Sequence, residues 1–428
     1  MEMSEIRVVI TGLGVCAPNG TTLADFKDAI KKGLSGITHQ PELERLGFSC
    51  QIAGIPLIHE DRIRQYFSPL EMKNLDSSGI LYGVMAGLDA WHDAGLSSAG
   101  TDKPDWDSGT YFGTGTSGIE KFRWAINKID ELEIRKLGSS VVAQTMASGV
   151  SAFISGKLGL GNRVSTNSAA CATGTESILL AYEHLKAGKA KRMLAGSTSD
   201  SGPYIWGGFD AMKICTFKHN NSPESGSRPM SATASGFVPG SGAGAMVLET
   251  LESALSRNAR IYGEVIGGNV NSGGQRGKGT MTAPNPEAVQ RCIINAIDDA
   301  KIQASDIDVI NGHLTATSKD VLEIENWKIA LGCSKENFPY INSLKGMIGH
   351  CISASGSIEC IAAVMQLHDG FIFPNINCED LNPEISLLID ETKVPHKLIK
   401  TDFNILAKAS FGFGDVNACL ILKRYQNG

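Results

Sequence analysis

Short apolar runs alternate with segments of helical spacing along the chain. Arg7-Val8-Val9-Ile10-Thr11 reads as a buried strand, and residues 23–32 place apolar positions at helical intervals. Residues 69–94 read as one long helix, weakened at Ser77-Ser78-Gly79. Residues 109–113 read as a strand, and 119–132 and 142–158 as helices. A second β-rich block begins at Gly242, with strands predicted at 244–248, 260–270 and 306–311 and helices at 251–258 and 288–301. This alternation predicts the α/β class with largely buried sheets. The pattern divides the chain into halves 1–257 and 258–428. No Pro/Ser-rich linker separates them, so they are expected to share one interface.

One internal similarity sharpens this. The run Gly174-TESILLAYEHLKA-Gly188 overlies Gly356-SIECIAAVMQLHD-Gly370 without a gap, aligning Ala181 with Ala363 and Leu185 with Leu367. Each is an apolar helical run closed by a glycine at the C-cap position. The second is apolar nearly all round, as a helix between two sheets would be. The match is either a coincidence of two apolar helices or a duplicated α/β half whose central helices pack face to face.

With 428 residues, 42% hydrophobic and 20% charged, the chain is neither disordered nor fibrous. Its 39 basic and 45 acidic residues give a net charge of −6, no basis for a nucleic-acid binder. No apolar run approaches the ~20 residues that cross a bilayer, and Met1-Glu2-Met3-Ser4-Glu5 lacks the basic start of a secretory signal. The ten cysteines are scattered with no CxxC pair, which fits a reducing cytoplasm.

Among candidate sites, Gly12-Leu13-Gly14-Val15-Cys16-Ala17 satisfies G-x-G-x-x-A. However, Pro18-Asn19-Gly20 follows where a phosphate-binding helix should start, so it reads as a Gly-rich turn after the first strand. Asn167-Ser168-Ala169-Ala170-Cys171-Ala172-Thr173-Gly174 is more informative. A β-type run leads through small residues into a cysteine at a helix start, where free N–H groups favour thiolate. His313 opens Gly312-His313-Leu314-Thr315-Ala316-Thr317 after a strand, and His350 ends Ser343-Leu344-Lys345-Gly346-Met347-Ile348-Gly349-His350 just before the second repeat helix. No nearby carboxylate completes a metal set with these histidines, so no metal is expected. The tail Ala409-Ser410-Phe411-Gly412-Phe413-Gly414-Asp415 is either a plain hairpin loop or one that sets a backbone N–H beside a reacting carbonyl and lets a Phe swing as a gate.

In order along the chain, ITGLGV, AACATG, GSRPMS, GFVPGSGAGAMVLETLESALSRNARIYGEV, MTAPNPEA, HLTAT, SLKGMIGH and FGFGDVN resemble the β-ketoacyl-[acyl-carrier-protein] synthases of the type II (KAS II-like) group. The resemblance implies a thiolase-like fold: duplicated α/β halves in five layers, α-β-α-β-α. It implies that Cys171 accepts an acyl chain as a thioester, and that His313 and His350 stabilise the enolate formed when malonyl thioester loses CO2. It further implies that Lys345 organises the site with Glu359 as its acidic neighbour. The Cys171 and Phe413 N–H groups would form an oxyanion hole. Thr315 and Thr317 would contact the phosphopantetheine arm, Phe413 would gate, and Phe411, Phe209 and Thr116 would line or flank the acyl pocket. No cofactor is implied beyond the phosphopantetheine carried by the acyl carrier protein. Partners would be that carrier with its malonyl and acyl thioesters, and a second copy in a homodimer. Arg62, Arg64, Lys73, Lys213, Arg276 and Lys278 are candidates for a basic docking rim. A non-catalytic chain-length-factor-like subunit is the alternative, but such subunits replace the nucleophile that this chain keeps.

Four departures bear on substrate choice. Leu314 replaces a glycine beside a catalytic histidine and is expected to crowd the arm tunnel or to demand a different backbone. Asp415 stands beside the gate. Met230-Ser231-Ala232-Thr233-Ala234-Ser235 is uncharged where acids are usual, and Ser77-Ser78-Gly79 replaces an Arg-Phe pair. They suit a specialised member, such as one building polyene or aryl-polyene chains.

Overall fold

A computed structural model describes residues 5–99 and 103–426. The first half contributes strands β1 (Val8–Cys16), β2 (Ser108–Thr114), β3 (Val164–Ser165), β4 (Arg192–Ser199) and β5 (Gly242–Thr250). The second contributes β6 (Gly263–Ser272), β7 (Val309–Asn311), β8 (Tyr340–Asn342), β9 (Ile405–Gly412) and β10 (Val416–Lys423). The spatial orders are β1-β5-β4-β2-β3 and β6-β10-β9-β7-β8, the same topology twice. The orientations repeat as well: the first two pairings in each half are antiparallel and the last two parallel. The first strands of the halves pair antiparallel, Val8 opposite Val265 and Ile10 opposite Gly263, which joins both sheets into one ten-stranded ladder. The expected 257/258 boundary falls in the connection between β5 and β6.

Helices α1 (Ser78–Asp93) and α2 (Gly149–Leu158) cover the outer face of the first sheet. Helices α3 (Thr173–Lys186) and α6 (Ser355–Asp369) lie between the sheets, and α4 (Pro286–Asp299) and α5 (Asp320–Leu331) cover the second sheet. These are the five layers. Every residue from Ser355 to Leu367 of α6 is buried, as its all-round apolar pattern predicts. α3 and α6 cross at their aligned glycines: a Cβ on Gly174 would lie 2.2 Å from Ser357 N, and one on Gly356 2.7 Å from Thr175 N. That reciprocal contact favours duplication over coincidence.

Three sequence expectations change. The G-x-G-x-x-A segment is not a turn but the second half of β1. A Cβ on Gly12 or Gly14 would come within 2.1 Å of α1 carbonyls, so the two glycines let helix and strand close together. The 69–94 helix breaks into Pro69–Asn74 and Ser78–Asp93. There the buried Asp200 carboxylate accepts from Ser77 Oγ and Gly79 N, and Ser77 Oγ caps the new helix at Ile80 N. Residues 142–158 likewise split, into Ser140–Thr145 and α2, because Met146 is extended. No helix among the described residues is long and apolar enough to cross a membrane.

Candidate active site

Cys171 lies on a single 3₁₀ turn, Ala170–Ala172, that feeds α3. Ala170 before it holds a left-handed backbone, φ 48°, a conformation that costs a non-glycine residue about 1–2 kcal/mol and is tolerated where surrounding structure enforces it. At the aligned position before α6, Ile352 has φ 50°, so the strained turn is itself duplicated. His350 ends the segment that enters this second turn. The two turns meet between the sheets, which puts His350 Nε2 3.1 Å from Cys171 Sγ. His313, two residues beyond β7, stands edge-on to His350 with ring centroids 5.4 Å apart.

Burial pushes the Cys171 thiol up to about 11, against the opposing pull of Lys345 and of the Phe413 and Cys171 N–H groups. The helix-start donors expected to favour thiolate are therefore present, but desolvation outweighs them. Burial, and after it the Lys345 charge, holds both imidazoles well below their ordinary value. The resting pair is a neutral thiol facing a neutral base. Ser355 Oγ lies 2.8 Å from His350 Nδ1. A hydroxyl can donate or accept there, so His350 Nε2 is free to take a proton or to offer one.

Lys345 and Glu359 form a buried ion pair, as the resemblance implied. Glu359 also pairs with Lys408 at 2.9 Å, a wholly buried lysine that the sequence reading missed. Asp320 and Glu323 were missed too. Glu323 accepts from the N–H groups of His313 and Leu314 at 2.6 and 2.7 Å, and Asp320 accepts from Thr315, Ala316 and Met230. Their signal was an acid pair three residues apart opening a helix just after the histidine loop.

A cavity of about 250 Å³ reaches Cys171 and both histidines. Thr315, Thr317, Phe209, Phe411 and Phe413 line it, joined by Ile214, Phe237, Thr282 and Pro284. The Phe413 ring lies 6.0 Å from Phe209, and Phe237 packs 5.2 Å from His350. Thr116 is not among the lining residues; it is exposed on the loop after β2. Leu314 does not crowd the tunnel. Its side chain turns into the core with Ile310, Ile324 and Trp327, and the room comes from Gly312, where a Cβ would meet Leu314 Cδ1 at 2.9 Å. The uncharged 230–235 segment is compensated from elsewhere, since Arg228 is held by Glu379 and Asp380, and Asp380 also takes Ser231 and Thr233. Arg62 is tied to Asp89 and the Thr21 carbonyl, a structural role. Arg64 pairs with Glu60, whereas Lys73, Lys213, Arg276 and Lys278 are exposed. The donor atoms of Cys171, His313 and His350 lie within 4.8 Å of one another, a set that could also grip a soft metal ion.

Residues 5–254 match the family described as Beta-ketoacyl synthase, N-terminal domain, and residues 262–379 match Beta-ketoacyl synthase, C-terminal domain. The 3-oxoacyl-[acyl-carrier-protein] synthase 2 of Vibrio harveyi is 34% identical over 426 residues, 99% of each chain. A β-ketoacyl synthase from Burkholderia phymatum STM815 superposes with a TM-score of 0.88 at 27% identity, covering 98% of this chain and all of that one. A chain from the complex of a type II PKS acyl-carrier protein with its hexaketide-bound ketosynthase gives 0.87 at 26% identity, covering 99% and 100%.

Proposed function

Since the chain belongs to the β-ketoacyl synthase family, we propose that it performs decarboxylative Claisen condensation on acyl chains delivered by an acyl carrier protein. The observation that carries this reading is the 3.1 Å approach of His350 Nε2 to Cys171 Sγ inside a cavity that His313 also faces. In the first half-reaction His350 takes the thiol proton as Sγ attacks the acyl thioester. The Cys171 and Phe413 N–H groups meet the developing oxyanion, and the carrier's thiolate leaves with the proton. In the second, malonyl thioester loses CO2. The enolate oxygen is met by His313 and His350 N–H groups, the enolate carbon attacks the acyl-Cys171 carbonyl, and the expelled thiolate takes a proton from water. Each positioned donor of this kind supplies about 2.7–4 kcal/mol.

The arm enters past Thr315 and Thr317, with Lys319 exposed at the mouth of the cavity. Lys319 with Lys213, Arg276 and Lys278 offers positive charge to an acidic carrier. We read metal binding at Cys171, His313 and His350 as inhibitory, because it would consume the nucleophile. A second copy of the chain is the partner we assign to the exposed apolar side chains Phe122, Ile126, Ile129, Leu132, Ile134 and Val142.

Intact-mass analysis of carrier-bound products tests the reading. With purified protein, malonyl carrier and a panel of acyl carriers, products two carbons longer and bearing a 3-oxo group are expected. C171A should abolish condensation while retaining some malonyl decarboxylation. A folded wild-type protein that neither labels at Cys171 nor extends any acyl carrier would sink the proposal.

A further inference from the structure

The cavity that holds Cys171 also reaches residues with no part in the steps above. Pro284 precedes α4, Val289 lies on its first turn, and Leu322, Glu323 and Asn326 come from α5. Leu322 and Asn326 are one helical turn apart and share a face. Asn326 is only 2% exposed. Its Oδ1 accepts from Gln290 Nε2 of α4 at 2.9 Å, which fixes the amide and points Nδ2 away from Gln290. Among the described residues Nδ2 has no acceptor. Neighbouring Glu323 has given its oxygens to the His313 and Leu314 N–H groups. A buried donor left without an acceptor is costly, so this one calls for a ligand that brings an oxygen.

We propose that Asn326 binds the phosphopantetheine arm, its Nδ2 donating to the carbonyl of the arm's outer amide while Pro284, Val289 and Leu322 seat the gem-dimethyl group close to that carbonyl. The proposal rests on the condensation reading and deepens it by assigning the outer half of the arm. The arm carries an inner amide near its sulfur and an outer one beyond two methylenes. Thr315 and Thr317 belong to the His313 loop and so meet the inner amide. Asp320, which accepts from Thr315 N, opens α5, and Asn326 lies six residues further along it, a rise of about 9 Å. That separation suits the next polar group of the arm rather than the same one. Apolar walls alone would equally suit the Phe413 ring when the gate swings. A phenyl ring, however, is a poor acceptor and would strip water from Nδ2 without replacing it. The amide carbonyl with its branched apolar neighbour satisfies both the donor and the walls.

The test reads binding rather than turnover. Cys171 in wild type and N326A is alkylated with iodoacetamide in the presence of rising S-methyl pantetheine, and peptide mass spectrometry follows the modification. A second ligand is the same molecule with its outer amide replaced by two methylenes. Comparing the two ligands on each protein cancels any change in the reactivity of Cys171 itself. Loss of one such hydrogen bond corresponds to about a tenfold weaker ligand. Wild type should therefore need about ten times more of the methylene ligand for half protection. N326A should need about ten times more S-methyl pantetheine than wild type does, and should no longer distinguish the two ligands. Failure of S-methyl pantetheine to protect wild type, equal protection of wild type by both ligands, or an N326A loss that is the same for both overturns the proposal. The wild-type comparison decides alone if N326A does not fold. Protection as expected, in a protein that extends no acyl carrier, counts against the condensation reading instead.

Discussion

The glycine and leucine flanking His313 offer a quantitative check on how this loop is built. Leu314 is fully buried, and a Cβ at position 312 would lie 2.9 Å from its Cγ and Cδ1 and 3.0 Å from Glu323 Oε1. L314A removes three buried carbons from the second-half core and should cost about 3 kcal/mol. G312A over-packs the same spot and should cost about 1–3 kcal/mol. In the double variant the new methyl occupies part of the vacated space, so the combined loss should fall short of additive by about 1 kcal/mol. The relief is incomplete because Glu323 stays in place. Urea unfolding of the four proteins closes the cycle. Additivity within about 0.5 kcal/mol would mean that Leu314 is not what bars a side chain at 312. The same variants separate the core role from a tunnel role. A leucine narrowing the arm tunnel would make L314A lower the KM for carrier-borne malonyl, whereas a core leucine leaves it unchanged.

Two further outcomes follow from the groups around the cavity. Asp415 is buried with φ 64°, and its carboxylate accepts from Asn285 N at 2.8 Å and Gln275 N at 3.0 Å, while Gly414 N bonds the Met281 carbonyl. It thus latches the gate to the loop carrying Thr282 and Pro284. D415G suits the backbone but loses both charge-assisted bonds, so a loss of about 2 kcal/mol and a wider spread of product chain lengths are expected; an unchanged spread refutes the latch. The second outcome concerns pH. His313 and His350 have folded pKa values below 6.5, so the stability they allow is full above 6.5 and is lost as pH falls. Asp320 and Glu323 are pushed up to about 6 and about 7, so their contribution is full at low pH and is lost as pH rises from 3.8 and 4.5 toward those values. The two pairs oppose each other between about 4.5 and 6, so their combined contribution is nearly flat there. H313Q/H350Q should then lose stability relative to wild type as pH rises through that window in thermal melts, and a difference from wild type that does not change with pH would refute the accounting.

The parts of the site that were legible in the sequence share a property: each sits in a short stretch whose local pattern carries its meaning. Cys171 follows small residues into a helix, and His350 precedes that helix's aligned copy. Those cues held because the duplication is real, down to the left-handed Ala170 and Ile352. What stayed hidden depends on contacts distant in sequence. The break before α1 is made by Asp200, and the close approach of β1 to α1 is visible only once the helix is in place. Lys408 gave a faint signal, a lone charge within Ile405-Leu406-Ala407-Lys408-Ala409-Ser410, but its partner lies on another layer.

The duplication also explains why the chemistry is one-sided. At the aligned positions Cys171 faces Ser353 and Glu359 faces Ser177. Ser353 Oγ only bonds the Thr198 carbonyl, and Ser177 Oγ bonds Asn167 and the Thr173 carbonyl. One copy of the strained turn thus presents the sulfur. The other is fixed by hydroxyl bonds to its neighbours and aims the histidine that precedes it. The buried Lys345–Glu359–Lys408 charge cluster belongs to the second half alone. The asymmetry leaves one turn to present the sulfur and the other to hold His350 against it.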